Sequence, residues 1–215
     1  MSNRLLLAST SPRRRELLSE AAVEFAVVSP QVAESESTAF SIRELTTLNA
    51  TRKALAVARD RPHDVVLAAD TLVALNGRVI GKPADMDDAF TIVRRLSGRE
   101  HEVCTSVFIH RGESRQTESF YVVSHVQFRA LTDAQITAYF GKINPLDKAG
   151  AYAAQGHGRE IIERIRGSYT NVVGLPMDET LAALRRFGIH ARHEVGGSRK
   201  QISSLLPSGS SQKKA

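Results

Sequence analysis

Val65-Val66-Leu67-Ala68-Ala69-Asp70 is a continuous apolar run that closes on a carboxylate. Five apolar residues without alternation describe a strand buried on both faces, as in the middle of an α/β sheet. Working outward, Ser41 with Glu44 three residues later forms a capping box for a helix reaching about 58, which Pro62 and His63 interrupt. Downstream, Asn76-Gly77 between the short runs 71–75 and 78–80 signals a two-residue hairpin. Asp85 suits the cap of a helix to about 96, the stretches 102–110 and 118–128 read as strands, and Thr132 with Gln135 opens a helix to about 140. A glycine-rich region, 141–174, precedes a last helix that starts at Pro176 or Met177 and ends before Gly188. Upstream lie a strand at 4–8, a helix from Pro12 to Glu20 and a strand at 25–29. The expectation is an α/β fold, a mixed twisted sheet with flanking helices and two lobes around a cleft.

Composition narrows the function classes. The 215 residues are 42% hydrophobic and 24% charged, ordinary for a globular protein with a large core. No apolar run approaches the roughly 20 residues that span a bilayer, so no membrane partner is expected. A lone Arg4 before a short apolar run is unlike a secretory signal, and Cys104 as the single cysteine excludes an internal disulfide, so a cytoplasmic location is expected. The net charge of +6 suggests nucleic acid until it is divided: residues 190–215 hold +4 of it and the rest of the chain +2. With aromatics at 6%, no stable nucleic-acid partner is expected. Residues 1–190 are expected to form a single domain, and 191–215 a basic, Gly/Ser-rich tail that is disordered.

The residues that suggest chemistry are spread along the chain. In Ala8-Ser9-Thr10-Ser11-Pro12-Arg13-Arg14-Arg15, Ser11 suits an N-cap and Pro12 the first helical position. Arginines at a helix start oppose the macrodipole unless an anion sits there, and free amides with guanidinium forks suit phosphate oxygens. Asp70-Thr71 lies where a buried strand is expected to emerge, the usual place for a ligand in an open α/β sheet, though a turn-forming aspartate fits as well. Lys82 follows the hairpin inside Gly81-Lys82-Pro83. Glu34, in a polar loop with Glu36, reads by itself as a solvated carboxylate, and Lys53 as a surface lysine of its helix. Small residues around Gln155 leave room for a ligand, while 167–176 reads as a turn, a short strand and a proline-started helix. Basic groups with two carboxylates in one cleft suit a nucleoside triphosphate and a divalent metal. One cysteine and scattered histidines exclude a Cys/His metal site.

Taken in order, Ala8-Ser9-x-Ser11-Pro12-Arg13-Arg14-x-Glu16-Leu17-Leu18, Ala69-Asp70-Thr71, Gly81-Lys82-Pro83, Leu96-Ser97-Gly98-Arg99-x-His101, Asp147-Lys148-Ala149-Gly150-Ala151-Tyr152 and Gly167-Ser168-Tyr169-x-Asn171-Val172-Val173-Gly174-Leu175-Pro176 resemble the Maf family of nucleotide pyrophosphatases. The resemblance implies a fold similar to inosine triphosphate pyrophosphatases. It also implies hydrolysis of a nucleoside triphosphate to the monophosphate and pyrophosphate with a divalent cation (Mg2+ or Mn2+), in a cytoplasmic homodimer. By position it implies Asp70 as proton acceptor. It implies Arg13, Thr71 and Gln155 in substrate choice, Ser9, Arg14, Lys53 and Lys82 at the phosphates, and Glu34 with Asp70 at the metal. The segments 147–155 and 168–173 look like the members acting on dTTP and UTP, and a glutamine amide complements the imide edge of either base. A different modified base, or a nucleotide-binding regulator of septum formation, are the rival readings. Three departures stand out: Ala22 where glycine is usual, Lys142-Ile143-Asn144-Pro145 before Asp147, and Ala153-Ala154 before Gln155.

Overall fold

A computed structural model describes residues 4–35, 37 and 39–192. Of the expected tail 191–215, Ala191 bridges to Val23 and Arg192 N–H donates to Ala22 O at 3.0 Å, while residues from 193 onward, like Glu36, lie outside the described residues. The elements run β1 (Leu5–Ala8), α1 (Pro12–Glu20), β2 (Ala26–Val28), α2 (Ile42–Ala58), β3 (Val65–Leu75), β4 (Arg78–Ile80), α3 (Met86–Leu96), β5 (Glu100–Arg111), β6 (Gln116–Phe128), α4 (Asp133–Phe140), α5 (Gly158–Ile161), β7 (Ile162–Arg166), α6 (Tyr169–Val173) and α7 (Met177–Arg186). A 3-10 turn, Ala149–Ala151, precedes α5. Seven strands form one mixed sheet in the order β2-β1-β3-β5-β6-β7, with β4 paired to β3. The first three neighbours are parallel because a helix returns the chain each time, α1 between β1 and β2, then α2 before β3. From β3 to β7 the pairing is antiparallel.

The unalternating run 65–69 behaves as its composition requires. Leu67 and Ala69, with Leu5, Leu7, Val107 and Ile109, face Leu184 of α7 and Phe187 just past its end. Val66 and Ala68, with Leu6 and Ala8, face α2 through Ala54 and Val57. Both sets are buried, so successive residues of the strand serve opposite layers. A second apolar cluster, built on Val73, Leu96, Val103, Phe128, Ile136 and Tyr139, forms the other lobe. The capping boxes of α2 and α4 are both made, and the Asp85 side chain accepts from Asp88 N–H at the start of α3.

Three expectations are corrected. β3 does not emerge after Asp70: it continues unbroken to Leu75, so the carboxylate stands in mid-strand. No glycine or proline interrupts 65–75, and β5 pairs with it residue by residue from Val65↔Arg111 to Ala74↔Glu102. The strand expected within 167–176 is instead the helix α6, because Ser168 accepts from Asn171 N–H at 3.2 Å and Gly174, at φ 131°, ends the turn. The region 141–174 also contains a strand, β7, which presents charged residues alongside Ile162 and Ile165. Ala22 takes φ 54° just past α1, the left-handed conformation that explains why glycine is usual there. Among the described residues no helix is long and apolar enough to cross a membrane.

Leu67 is fully buried at the crossing of β3 with the helix layer. Leu67→Ala is expected to lower unfolding stability by about 2–5 kcal/mol in urea titrations, and a loss under about 1 kcal/mol would contradict this packing.

Candidate active site

A cleft of about 760 Å³ opens over the middle of β3, between the two apolar clusters. One wall is the start of α1. Ser11 holds the N-cap position by its backbone but its side chain caps nothing; its N–H donates instead to Ser9 Oγ at 3.2 Å. The first turn carries no acidic side chain, so its dipole is uncompensated. Arg14 turns inward and is buried. Its Nε donates to Gly174 O at 2.8 Å, Nη1 to Ser9 Oγ at 3.2 Å and Nη2 to Thr71 Oγ1 at 3.0 Å. Burial pushes the Arg14 pKa down, with the Asp70 charge acting against it. Thr71 meets Thr105 Oγ1 at 2.9 Å, and the Thr105 hydroxyl donates to Asn171 O at 3.0 Å. Ser9 thus accepts twice, and its own proton is left to be donated.

The cleft floor is a knot of four side chains. Lys53 Nζ lies 2.6 Å from Asp70 Oδ1 and 2.5 Å from Glu34 Oε1, with Lys53 and Asp70 both buried. Asn49 Nδ2 donates to Asp70 Oδ2 at 3.3 Å and to Ser35 O at 3.1 Å, while its Oδ1 accepts from Ser35 N–H at 2.7 Å. This last pair pins the loop that carries Glu34. Lys82 Nζ stands 3.8 Å from Glu34 Oε2. Burial of Glu34 raises its pKa, but the hydrogen bond from Lys53 and the charges of Lys53, Lys82 and Arg14 outweigh it and hold the carboxyl below its ordinary value.

The opposite wall comes from 147–154. Arg13 Nη1 reaches Asp147 Oδ2 at 3.5 Å across the cleft mouth, and Lys148 Nζ holds Asp147 Oδ1 at 2.5 Å. Gly150 N–H donates to Gly81 O at 3.0 Å, which ties this segment to the Lys82 loop. Tyr152 lines the cleft and is bonded through its hydroxyl to His101 Nε2 at 2.9 Å. Burial lowers the His101 pKa to about 4, so the ring is neutral at neutral pH. Cys104 is buried away from the cleft and its thiol pKa is raised by that burial, as expected of a structural thiol.

Ser9, Arg13, Arg14, Glu34, Lys53, Asp70, Thr71 and Lys82 therefore line one cleft. Gln155 does not; it is half-buried, one residue beyond the lining residue Ala154. The sequence assigns no role to Asn49 or Thr105, and it offers Asn171 and the Asp147–Lys148 pair only as members of the motifs quoted above. Asn49 was findable, since it stands four residues before Lys53 on the same helix face. Among the described residues no group of three or more His, Cys, Asp or Glu side chains could hold a metal. Glu34 and Asp70 converge on one cation, the Lys53 ammonium. That donor set suits a hard divalent ion which draws its remaining ligands from phosphate and water.

The profile of the family described as Maf-like protein matches residues 4–187. A dTTP/UTP pyrophosphatase of Anaeromyxobacter dehalogenans is 47% identical over 190 residues, covering 87% of this chain and 96% of that protein. A dTTP/UTP pyrophosphatase of Akkermansia muciniphila is 41% identical over 187 residues, covering 87% and 98%. The solved structure of the Staphylococcus aureus Ham1 protein overlays on 59% of this chain and 72% of its own, with 17% identity and a TM-score of 0.44, a likeness too slight to bear on the fold.

The depressed Glu34 pKa links the site to acid stability. Stability that Glu34 contributes is complete above the ordinary glutamate value of 4.5 and is lost as the pH falls through its lower folded value. Glu34→Gln removes that titration, so urea midpoints measured from pH 6 downward should fall less steeply than in the wild type. Parallel curves for the two proteins would contradict the assignment.

Proposed function

The chain belongs to the Maf-like protein family, and on that footing we propose that its cleft hydrolyses dTTP and UTP to the nucleoside monophosphate and pyrophosphate. One observation carries the proposal: Glu34 and Asp70 are drawn onto a single ammonium at the floor of a cleft whose walls are a helix start and basic side chains. The names of the two relatives described above, dTTP/UTP pyrophosphatases, support the substrate.

In this reading the triphosphate lies along the start of α1, where Ser9 donates its free proton and the unpaired amides of the first turn meet phosphate oxygens. Arg13 and Lys82 are the reachable cations, since neither is buried. Arg14 holds Ser9, Thr71 and the Gly174 turn in place and presents its two remaining N–H groups to the same oxygens. Asp70 has one bond on each oxygen, from Lys53 and from Asn49, which leaves a lone pair on each. It accepts the proton of the attacking water as the new phosphorus–oxygen bond forms and the α–β bridging bond breaks. Positive charge on Lys82 and Arg13 stabilises pyrophosphate as it leaves. A divalent ion, Mg2+ or Mn2+, held by Glu34 and Asp70 together with the phosphates, would supply neutralisation of charge at the reacting phosphorus.

The base then points toward Val73, Val103, Tyr152, Ala153 and Val172. Gln155 follows directly on this wall, and its amide offers the donor and acceptor that the imide edge of uracil or thymine requires. Thr71 acts on substrate choice from within, because its hydroxyl is shared by Arg14 and Thr105. A cytoplasmic homodimer belongs to the same proposal; the buried, unpaired Cys104 is consistent with a reducing compartment.

Purified protein incubated with the common nucleoside triphosphates and Mg2+ should release pyrophosphate with dTMP or UMP, and orthophosphate as the product would overturn the reading. Asp70→Asn keeps the shape of the floor but removes the proton acceptor, and turnover is expected to fall by about 10²–10⁴-fold. Near-normal turnover from a folded Asp70→Asn protein would remove Asp70 from that role.

A further inference from the structure

We infer that Lys53 holds the place of the divalent ion between Glu34 and Asp70 and keeps the free ion out until the nucleotide arrives. The inference rests on the metal-assisted reading above and concerns the order in which the charges come together.

The Lys53 ammonium already occupies the focus of both carboxylates, bonded to Asp70 Oδ1 at 2.6 Å and to Glu34 Oε1 at 2.5 Å. The second oxygen of Asp70 is held by Asn49, and that of Glu34 has Lys82 at 3.8 Å. A free dication would therefore have to settle beside Lys53 and Lys82 or displace them. The side chain of Lys53 is only 8% exposed and that of Asp70 only 6%. Water therefore screens that repulsion poorly.

The whole cleft repeats this imbalance. At its mouth Asp147 is matched by Lys148, and Arg13 lies 3.5 Å away. Over all its lining residues the cleft holds five Lys or Arg against three Asp or Glu, a surplus of two positive charges. A bare dication enlarges that surplus. A triphosphate carries more negative charge than the surplus cancels, and in its presence the same dication restores balance. Lys53 is then free to turn from the carboxylates to a phosphate oxygen on its flexible stem. One ammonium thus serves as a placeholder before binding and as a phosphate ligand afterwards.

The test uses Mn2+ as probe, followed by equilibrium dialysis with electron paramagnetic resonance, so that no turnover is read. The wild-type protein alone should retain little Mn2+ in the submillimolar range, and one Mn2+ per chain once a non-hydrolysable α,β-imido analogue of dTTP is added. Lys53→Met should bind Mn2+ without nucleotide at least about tenfold more tightly than the wild type, and Lys82→Met should shift it the same way by less. Micromolar Mn2+ binding by the free wild-type chain would overturn the inference while leaving the metal-assisted reading intact. So would a folded Lys53→Met protein with unchanged affinity. If Lys53→Met does not fold, Lys53→Gln, which keeps a hydrogen-bond donor for Asp70 but removes the charge, takes its place with the same expected gain. Absence of Mn2+ even with the analogue bound would remove the metal itself, and the inference with it.

Discussion

The site depends on one buried ionic contact, the Lys53 ammonium held between Asp70 and Glu34. Taking a lysine and an aspartate out of water is costly, and the attraction between them repays it only where geometry and further hydrogen bonds are good. Here Asn49 satisfies the second Asp70 oxygen. An apolar pair would serve the core at least as well. The arrangement is better understood as charge kept close-packed for use than as a source of stability. It also constrains the fold: α2 must lie across β3 in the register that sets Asn49 and Lys53 over Asp70, and the loop 29–35 must return to the same point.

A second contact joins parts of the chain that lie far apart. The Arg14 fork binds Ser9, five residues away, Thr71, fifty-seven residues away, and Gly174, one hundred and sixty away. From Thr71 the bonding continues through Thr105 to the Asn171 carbonyl. The helix start, the central strand and the α6 turn therefore share one hydrogen-bonded frame. Arg13, adjacent in sequence, stands outside the frame and reaches Asp147 at the cleft mouth instead.

Much of the fold was legible because the decisive signals are local. The run 65–70, the two capping boxes and Asn76-Gly77 each carry their own geometry, and all four were realised. What escaped were features decided by neighbours. The continuation of β3 past Asp70 depends on a ten-residue match with β5, which no window of sequence contains. The strand β7, with charged Glu163, Arg164 and Arg166, is a strand because the edge of β6 stands beside it. Val172 and Val173 favour β structure, yet α6 is helical because Ser168 and Gly174 at its two ends settle the conformation. The site divides likewise. Helix-start arginines and a buried-strand aspartate announce themselves, but Lys53 and Glu34 read as solvent-facing residues until the tertiary structure brings them together. The family resemblance, carried by motifs in order along the chain, supplied what spacing alone could not.

If Lys53 and Asp70 act as one unit, removing either should disable what the other contributes. A double-mutant cycle on kcat/KM for dTTP, using Lys53→Met, Asp70→Asn and the combined variant, measures this directly. The account predicts strong non-additivity, with the double variant about as impaired as the more damaging single one. A double variant whose loss equals the product of the two separate losses would show that these groups work independently, and would contradict the shared charge at the centre of the site.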